Sequence, residues 1–204
     1  MTLAAALSGA LFFAIVGYIG ILTGRAFASS QQPLDDGPKP QKPPLVAIVA
    51  GCVFVGALVC SQPVNSEQVL FAAVLCGLLA AIWCVDVQTG IIPDALTLIP
   101  LAIIGLVALW RHEWGVILAA SIPLLPFAIA AFASRGRGMG WGDVKLAALG
   151  GAILGAQTAV LMFALACLAA VAVAYLSKQR AKPIAFGPYM AGAIALALPL
   201  ISLR

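Results

Sequence analysis

A succession of apolar runs, most of them nearly long enough to cross a lipid bilayer, constrains this chain more than any other feature. They read at about Leu3 to Leu22, Leu45 to Cys60, Val69 to Val85, Ile91 to Leu109, Gly115 to Ala133, Val144 to Ala156, Thr158 to Leu176 and Ile184 to Leu203. A helix needs about 20 apolar residues to span the hydrocarbon core. Val144 to Ala156 is short for an untilted crossing, whereas Val144 to Leu176 taken as one helix is too long. Charged residues make up only 9% of the chain and hydrophobic ones 63%, against roughly 25% charged in a soluble domain. A water-soluble core of this size would leave much apolar surface exposed, and membrane lipid accepts it on every side of a helix. The expected fold is all-α, a polytopic transmembrane helical bundle of about eight spans, one of them short. Residues 1–204 are expected to form a single membrane-embedded domain, with the first span and a short loop over 1–44 and a core over about 69–204.

The basic residues set the expected orientation, because short cytoplasmic loops collect Lys and Arg. Arg25, Lys39 and Lys42 follow the first run, Arg135, Arg137 and Lys145 flank a glycine-rich stretch, and Lys178, Arg180 and Lys182 precede the last run. If Val144 to Ala156 crosses, all of these share one side, Arg111 and Arg204 lie opposite, and both termini are outside. Asp86 and Asp143 then both fall at the cytoplasmic edge. The formal charge of +4 is spread over separate loops rather than one face, so it gives no footprint for nucleic acid.

The five cysteines all sit inside apolar runs with no CxxC spacing and read as small hydrophobic residues. The single histidine, His112, lies in a short polar break and has no second histidine with which to share a metal. No metal and no cofactor is expected.

The chemistry is carried by two stretches, Val85-Asp86-Val87-Gln88-Thr89-Gly90-Ile91-Ile92-Pro93-Asp94 and Gly138-Met139-Gly140-Trp141-Gly142-Asp143-Val144-Lys145-Leu146. A carboxylate at the edge of the membrane is costly and calls for a partner or a function. Two held close together tend to share one proton. Such a pair can hydrolyse a peptide bond, one carboxylate acting as general base towards water and the other donating a hydrogen bond to the scissile carbonyl. Gly138, Gly140 and Gly142 would let a substrate backbone approach closely. Plainer readings exist for each residue. Asp143 suits the cap of the following helix and Lys145 an interfacial anchor. Asp94, after Pro93, suits the start of a helix better than catalysis. Gly151 and Gly155 fit a GxxxG helix-packing pattern.

The stretch from Asp86 through Ile92-Pro93-Asp94-Ala95-Leu96-Thr97-Leu98, the string Gly138 to Leu146 and the late Phe186-Gly187-Pro188-Tyr189 together resemble the type IV prepilin peptidases, which are GxGD-type intramembrane aspartyl proteases. The resemblance covers about Val69 to the C-terminus. It implies an aspartic endopeptidase with Asp86 and Asp143 as the catalytic pair, with Gly138, Gly140, Gly142, Lys145, Pro93 and Asp94 as active-site loop or substrate-binding positions. It implies prepilin-like or pseudopilin-like precursors as substrates. These would be cut at the cytoplasmic face of the cell membrane, after the glycine that ends a basic leader. Bifunctional members carry an insert with paired CxxC motifs, and the first loop here has none. The resemblance is therefore to short, peptidase-only members without zinc or methyltransferase activity.

Two other classes use the same residues differently. An ion- or proton-coupled transporter would place its carboxylates near mid-membrane and show matched halves with interrupted helices. A purely structural subunit of a secretion apparatus is separable by whether substitution of one carboxylate abolishes cleavage while leaving assembly intact.

Overall fold

A computed structural model describes residues 3–30, 42–134, 139–176 and 185–201. Among these, the secondary structure is eight α-helices and no strand: α1 (Leu3–Ser30), α2 (Leu45–Cys60), α3 (Ser66–Thr89), α4 (Asp94–Trp110), α5 (Trp114–Ala133), α6 (Trp141–Leu154), α7 (Ala156–Leu176) and α8 (Gly187–Ile201). The chain is a helical membrane bundle. Four helices, α1, α3, α5 and α7, are long and apolar enough to cross a membrane by length and composition, and α2, α4 and α8 are shorter apolar helices. Trp110 and Trp114 are exposed at one end of the bundle and Trp141 at the other, the positions that amphipathic indoles take at two membrane–water interfaces.

Helix ends differ from the apolar runs where polar residues extend a helix. α1 continues past Leu22 to Ser30, so Arg25 lies in its last turns rather than in a loop. The Ser29 and Ser30 hydroxyls donate to the carbonyls of Ala26 (2.8 Å) and Phe27 (2.7 Å), taking up acceptors that a helix end leaves unpaired. α3 begins at Ser66 rather than Val69 because Asn65 caps it, its own N–H donating to the Gln68 side chain at 3.0 Å. The last helix begins at Gly187. Lys39, Arg135, Arg137, Gly138, Lys178, Arg180, Lys182, Ile184 and Arg204 lie outside the described residues.

Helix directions follow from contacts between small residues. A side chain on Gly9, Gly17 or Gly56 would run into Cys60, Cys52 or Phe13, so α1 and α2 are antiparallel. Gly20 lies against the backbone of Gly77 and Gly24 against Ala81, so α1 and α3 run in parallel at a separation only small residues permit. α3 and α8 are antiparallel, with Asp86 beside Gly187 and Trp83 beside Gly192. Two cores result. Phe13, Ile21, Val55, Val59, Cys76 and Cys84 centre the one formed by α1, α2 and α3. The other gathers Leu79 and Ile82 of α3 with Phe127, Leu146, Leu149, Phe163, Met190 and Ile194 of α5 to α8.

The stretch Val144 to Leu176 is two helices, broken at Gly155, whose φ of 77° suits glycine. Gly155 therefore ends α6 instead of packing it, while Gly151 does pack, its absent side chain leaving room for Ala119, Ala120 and Pro123 of α5. At 1.5 Å per residue the 14 residues of α6 cover about 21 Å, less than the ~30 Å hydrocarbon core. His112 is exposed in the tight turn between α4 and α5 with a φ of 57°.

Candidate active site

One end of the bundle collects the C-terminus of α3 and the N-termini of α4, α6 and α8. α3 stops because Gly90 takes a left-handed conformation (φ 68°), its N–H donating to the Asp86 carbonyl at 2.8 Å. The Thr89 hydroxyl donates to the Val85 carbonyl (3.0 Å) and accepts the Ile91 N–H (3.2 Å), pinning the exit of the chain. Ile92 and Pro93 are buried, and α4 starts at Asp94. Proline suits this entry because its fixed φ of −63° costs nothing there and its missing N–H is no loss.

Asp86 is 4% exposed in the last turn of α3, and Asp143 is 9% exposed in the first turn of α6. The two arrive from helices of opposite sense at the same end of the bundle, and Ile92 lies against both Gly142, which precedes Asp143, and Gly187, which holds Asp86. Each carboxyl is held by the backbone N–H of a glycine at the start of a helix. Gly187, the first residue of α8, donates to Asp86 Oδ2 at 3.0 Å. Gly140, which precedes α6, donates to Asp143 Oδ2 at 3.3 Å. The first turn of a helix leaves its N–H groups without intrahelical partners, and an acidic oxygen satisfies them favourably. The N-cap of α6 is Gly140 and not Asp143, which stands three residues on, in the first turn, and reaches back with one oxygen to the Gly140 N–H.

The glycines have separate tasks. A side chain on Gly142 would meet Ile92 Cβ at 2.9 Å, and one on Gly187 would meet Asp86 Oδ2 at 2.8 Å. At either position a Cβ would force a neighbour to shift. Gly140 has no such crowding; a Cβ there would sit 3.6 Å from Asp143 Oδ2, in ordinary contact, and the residue is exposed at the mouth of the site. Asp94 and Lys145 form an ion pair with each other, joining the starts of α4 and α6. Asp94 is thus an exposed first-turn residue of its helix and makes no side-chain cap.

The structure brings Asp86, Asp143, Gly140 and Gly142 together, with Pro93 and the Asp94–Lys145 pair beside them. Sequence reasoning missed the parts played by Gly187 and Ile92. Both stood in noted motifs, but their contacts are to residues distant in the chain: Gly187 reaches Asp86 across 101 positions. Phe186 braces this junction, stacking on Tyr189 at 6.4 Å and lying against Phe127 of α5 at 6.2 Å. Phe127 in turn meets Phe163 of α7 edge-on at 5.7 Å. An aromatic row thereby fixes the start of α8 against α5 and α7.

The model of the type IV leader peptidase family matches residues 73–175, a stretch running from α3 to α7 that contains both aspartates. A "prepilin leader peptidase/N-methyltransferase" of Burkholderia pseudomallei (strain K96243) is 33% identical over 172 residues, covering 76% of this chain and 53% of the relative. One of the same description from Dickeya chrysanthemi is 29% identical over 183 residues, covering 78% of this chain and 60% of the relative. The chain thus spans about half the length of the curated relatives it matches. No solved structure gives a significant match. On the family match and these relatives, this chain belongs to the type IV leader peptidase family.

Proposed function

We propose that the protein is an aspartic endopeptidase of the cell membrane that removes the leader from prepilin-like or pseudopilin-like precursors, with Asp86 and Asp143 as its catalytic pair. The observation that carries this reading is the convergence of two buried carboxyls from separate helices on one end of the bundle, each oriented by a glycine N–H. A relay or ion-binding carboxylate would be expected deeper in the helices, so the transporter reading is the weaker one.

The reaction needs only these two groups and a water. The ionised carboxyl accepts a proton from the water as its oxygen attacks the scissile carbonyl. The protonated carboxyl donates a hydrogen bond to the carbonyl oxygen, where charge develops. Collapse of the tetrahedral adduct breaks the C–N bond, and the departing nitrogen takes a proton from the pair, leaving an acid and an amine. The exposed Gly140 leaves room for a substrate backbone at Asp143.

The reading places the site at the cytoplasmic face, in keeping with Arg25, Lys42 and Lys145 at the active-site end and Arg111 at the other. A precursor that presents a basic leader in water and an apolar helix in lipid puts its cleavage point at that boundary. Its helix would lie against α3, α4 and α6, which crosslinking can check: capture of the substrate helix by the outer face of α1 instead would count against this groove. On this reading α1 to α8 work as one membrane-embedded domain, and α6 crosses with tilt or with local thinning of the bilayer. The proposal is confined to the peptidase step, because the segment joining α1 and α2 carries no cysteine pair.

The test is cleavage of a prepilin-like precursor by membranes carrying the wild type, Asp86→Asn or Asp143→Asn at equal expression. Loss of cleavage in both variants is expected. A near-normal rate in either would remove that residue from the catalytic pair.

A further inference from the structure

The two carboxyls are carried by helices whose backbones are not close neighbours, although α3 and α6 contribute side chains to one core. α3 packs against α1, α2, α8 and, slightly, α4, while α6 packs against α4, α5, α7 and α8; the backbones of α3 and α6 do not meet. α8 packs on both helices, and next to the carboxyls one side chain lies between the two glycines that adjoin them. Ile92 is 6% exposed. Its Cβ, Cγ1 and Cδ1 fill the space that a side chain on Gly142 would enter, at 2.9, 3.4 and 3.5 Å, and Gly142 immediately precedes Asp143. Its Cδ1 also lies 3.1 Å from where a side chain on Gly187 would begin, and Gly187 holds Asp86.

We propose that Ile92 is a positioning residue, an apolar wedge whose two ends bear on Gly142 and Gly187 and thereby set the distance between Asp86 and Asp143. This rests on the reading that the two carboxyls act together. The wedge is itself fixed from both sides: by the Thr89 hydroxyl, which holds the preceding residue, and by Pro93 and the Asp94–Lys145 pair, which tie the following turn to α6. A β-branched side chain suits the task because few rotamers are open to it. The wedge is a hydrocarbon side chain and supplies no reacting atom. Its effect is felt in how well the reacting atoms are placed, and a misplacement of about 1 Å can cost about 100-fold in rate.

The experiment compares Ile92→Ala, Ile92→Val and, as a control, Met162→Ala, a partly buried α7 residue packed on the same core and outside the proposed substrate groove. Each is made in the full chain in membranes, with a prepilin-like precursor as substrate. Ile92→Ala is expected to lower kcat by about 10- to 100-fold with KM within about threefold. Ile92→Val keeps the contact to Gly142 but loses Cδ1, and is expected to fall between it and the wild type. Met162→Ala is expected to leave kcat near the wild-type value. A second readout needs no catalysis. Asp86→Cys and Asp143→Cys are combined in a chain whose native cysteines are replaced, and crosslinkers of graded length report the 86–143 distance with Ile or Ala at position 92. A change in the best-fitting length supports the wedge. Unchanged kcat and an unchanged crosslinking pattern in Ile92→Ala would overturn it. If instead Asp86→Asn or Asp143→Asn still cleaves, the catalytic reading fails and the positioning role with it, whatever the crosslinks report.

Discussion

α6 and α7 are neighbours joined by the single residue Gly155, both almost wholly apolar, yet they occupy opposite environments. α7 buries Ala159, Phe163, Ala166 and Ala170, a narrow stripe at helical spacing, and turns Leu161, Leu165, Leu168 and Val171 outward. α6 buries Asp143, Val144, every residue from Leu146 to Gly151, and Leu154. Hydropathy does not separate the two. Residue size does: α7 carries large aliphatic side chains on the faces that lipid solvates, whereas α6 is built from Ala and Gly where α5, α7 and α8 press on it. Gly150 admits Phe163 and Ile194, and Gly151 admits α5. The short, small-residue helix is the one that can carry a carboxyl into the interior, because its neighbours approach closely enough to supply the groups that hold it.

The contrast can be broken at several points. The largest effect is expected where crowding touches a carboxyl directly. Gly187→Ala places a Cβ 2.8 Å from Asp86 Oδ2, so one of the two must shift and the N–H contact is lost. Cleavage is expected to fall about 100-fold, while the protein still accumulates in the membrane. Gly151→Leu, deep in α6, overpacks the α5–α6 contact and is expected to cost about 1–3 kcal/mol of stability, read as a lower thermal midpoint in detergent. Asp94→Asn breaks a partly exposed ion pair (side chains 63% and 28% exposed). It is expected to cost less than about 1 kcal/mol and to change cleavage by no more than about threefold. Leu161→Ala and Leu168→Ala on the outer face of α7 are expected to leave stability within about 0.5 kcal/mol and cleavage unchanged. A large loss from these two, or none from Gly151→Leu, would reverse the assignment of inner and outer helix.

Much of the helical layout was legible because each apolar run is its own signal: the extents of α2 and α7 fall within two residues of the runs. The misreadings came where polar residues belong to a helix. Ser66, Glu67 and Gln68 look like loop, but Asn65 and Gln68 cap the helix they open. Arg25 looks like the end of a span, but α1 carries it inside its last turns. At the site, the two aspartates stood out as rare charges among apolar residues. At Asp143 the cap and the proposed catalyst are compatible, since one oxygen holds the Gly140 N–H in the first turn of α6 at the end of the bundle that also carries Asp86. Gly187 and Ile92 were visible only as letters in motifs. What makes them matter is a contact across 101 positions in one case and a wedge between two helix starts in the other, and no local pattern encodes either.

The central claim is that Asp86 and Asp143 work as one catalytic unit, and a double-mutant cycle on cleavage tests it most directly. Rates are measured for the wild type, Asp86→Asn, Asp143→Asn and the double variant, each at matched abundance in membranes. Groups that act as a unit lose nearly everything with the first substitution, so the double variant is expected to be no slower than either single one. Losses that multiply, or a single variant that still cleaves, would contradict a shared centre.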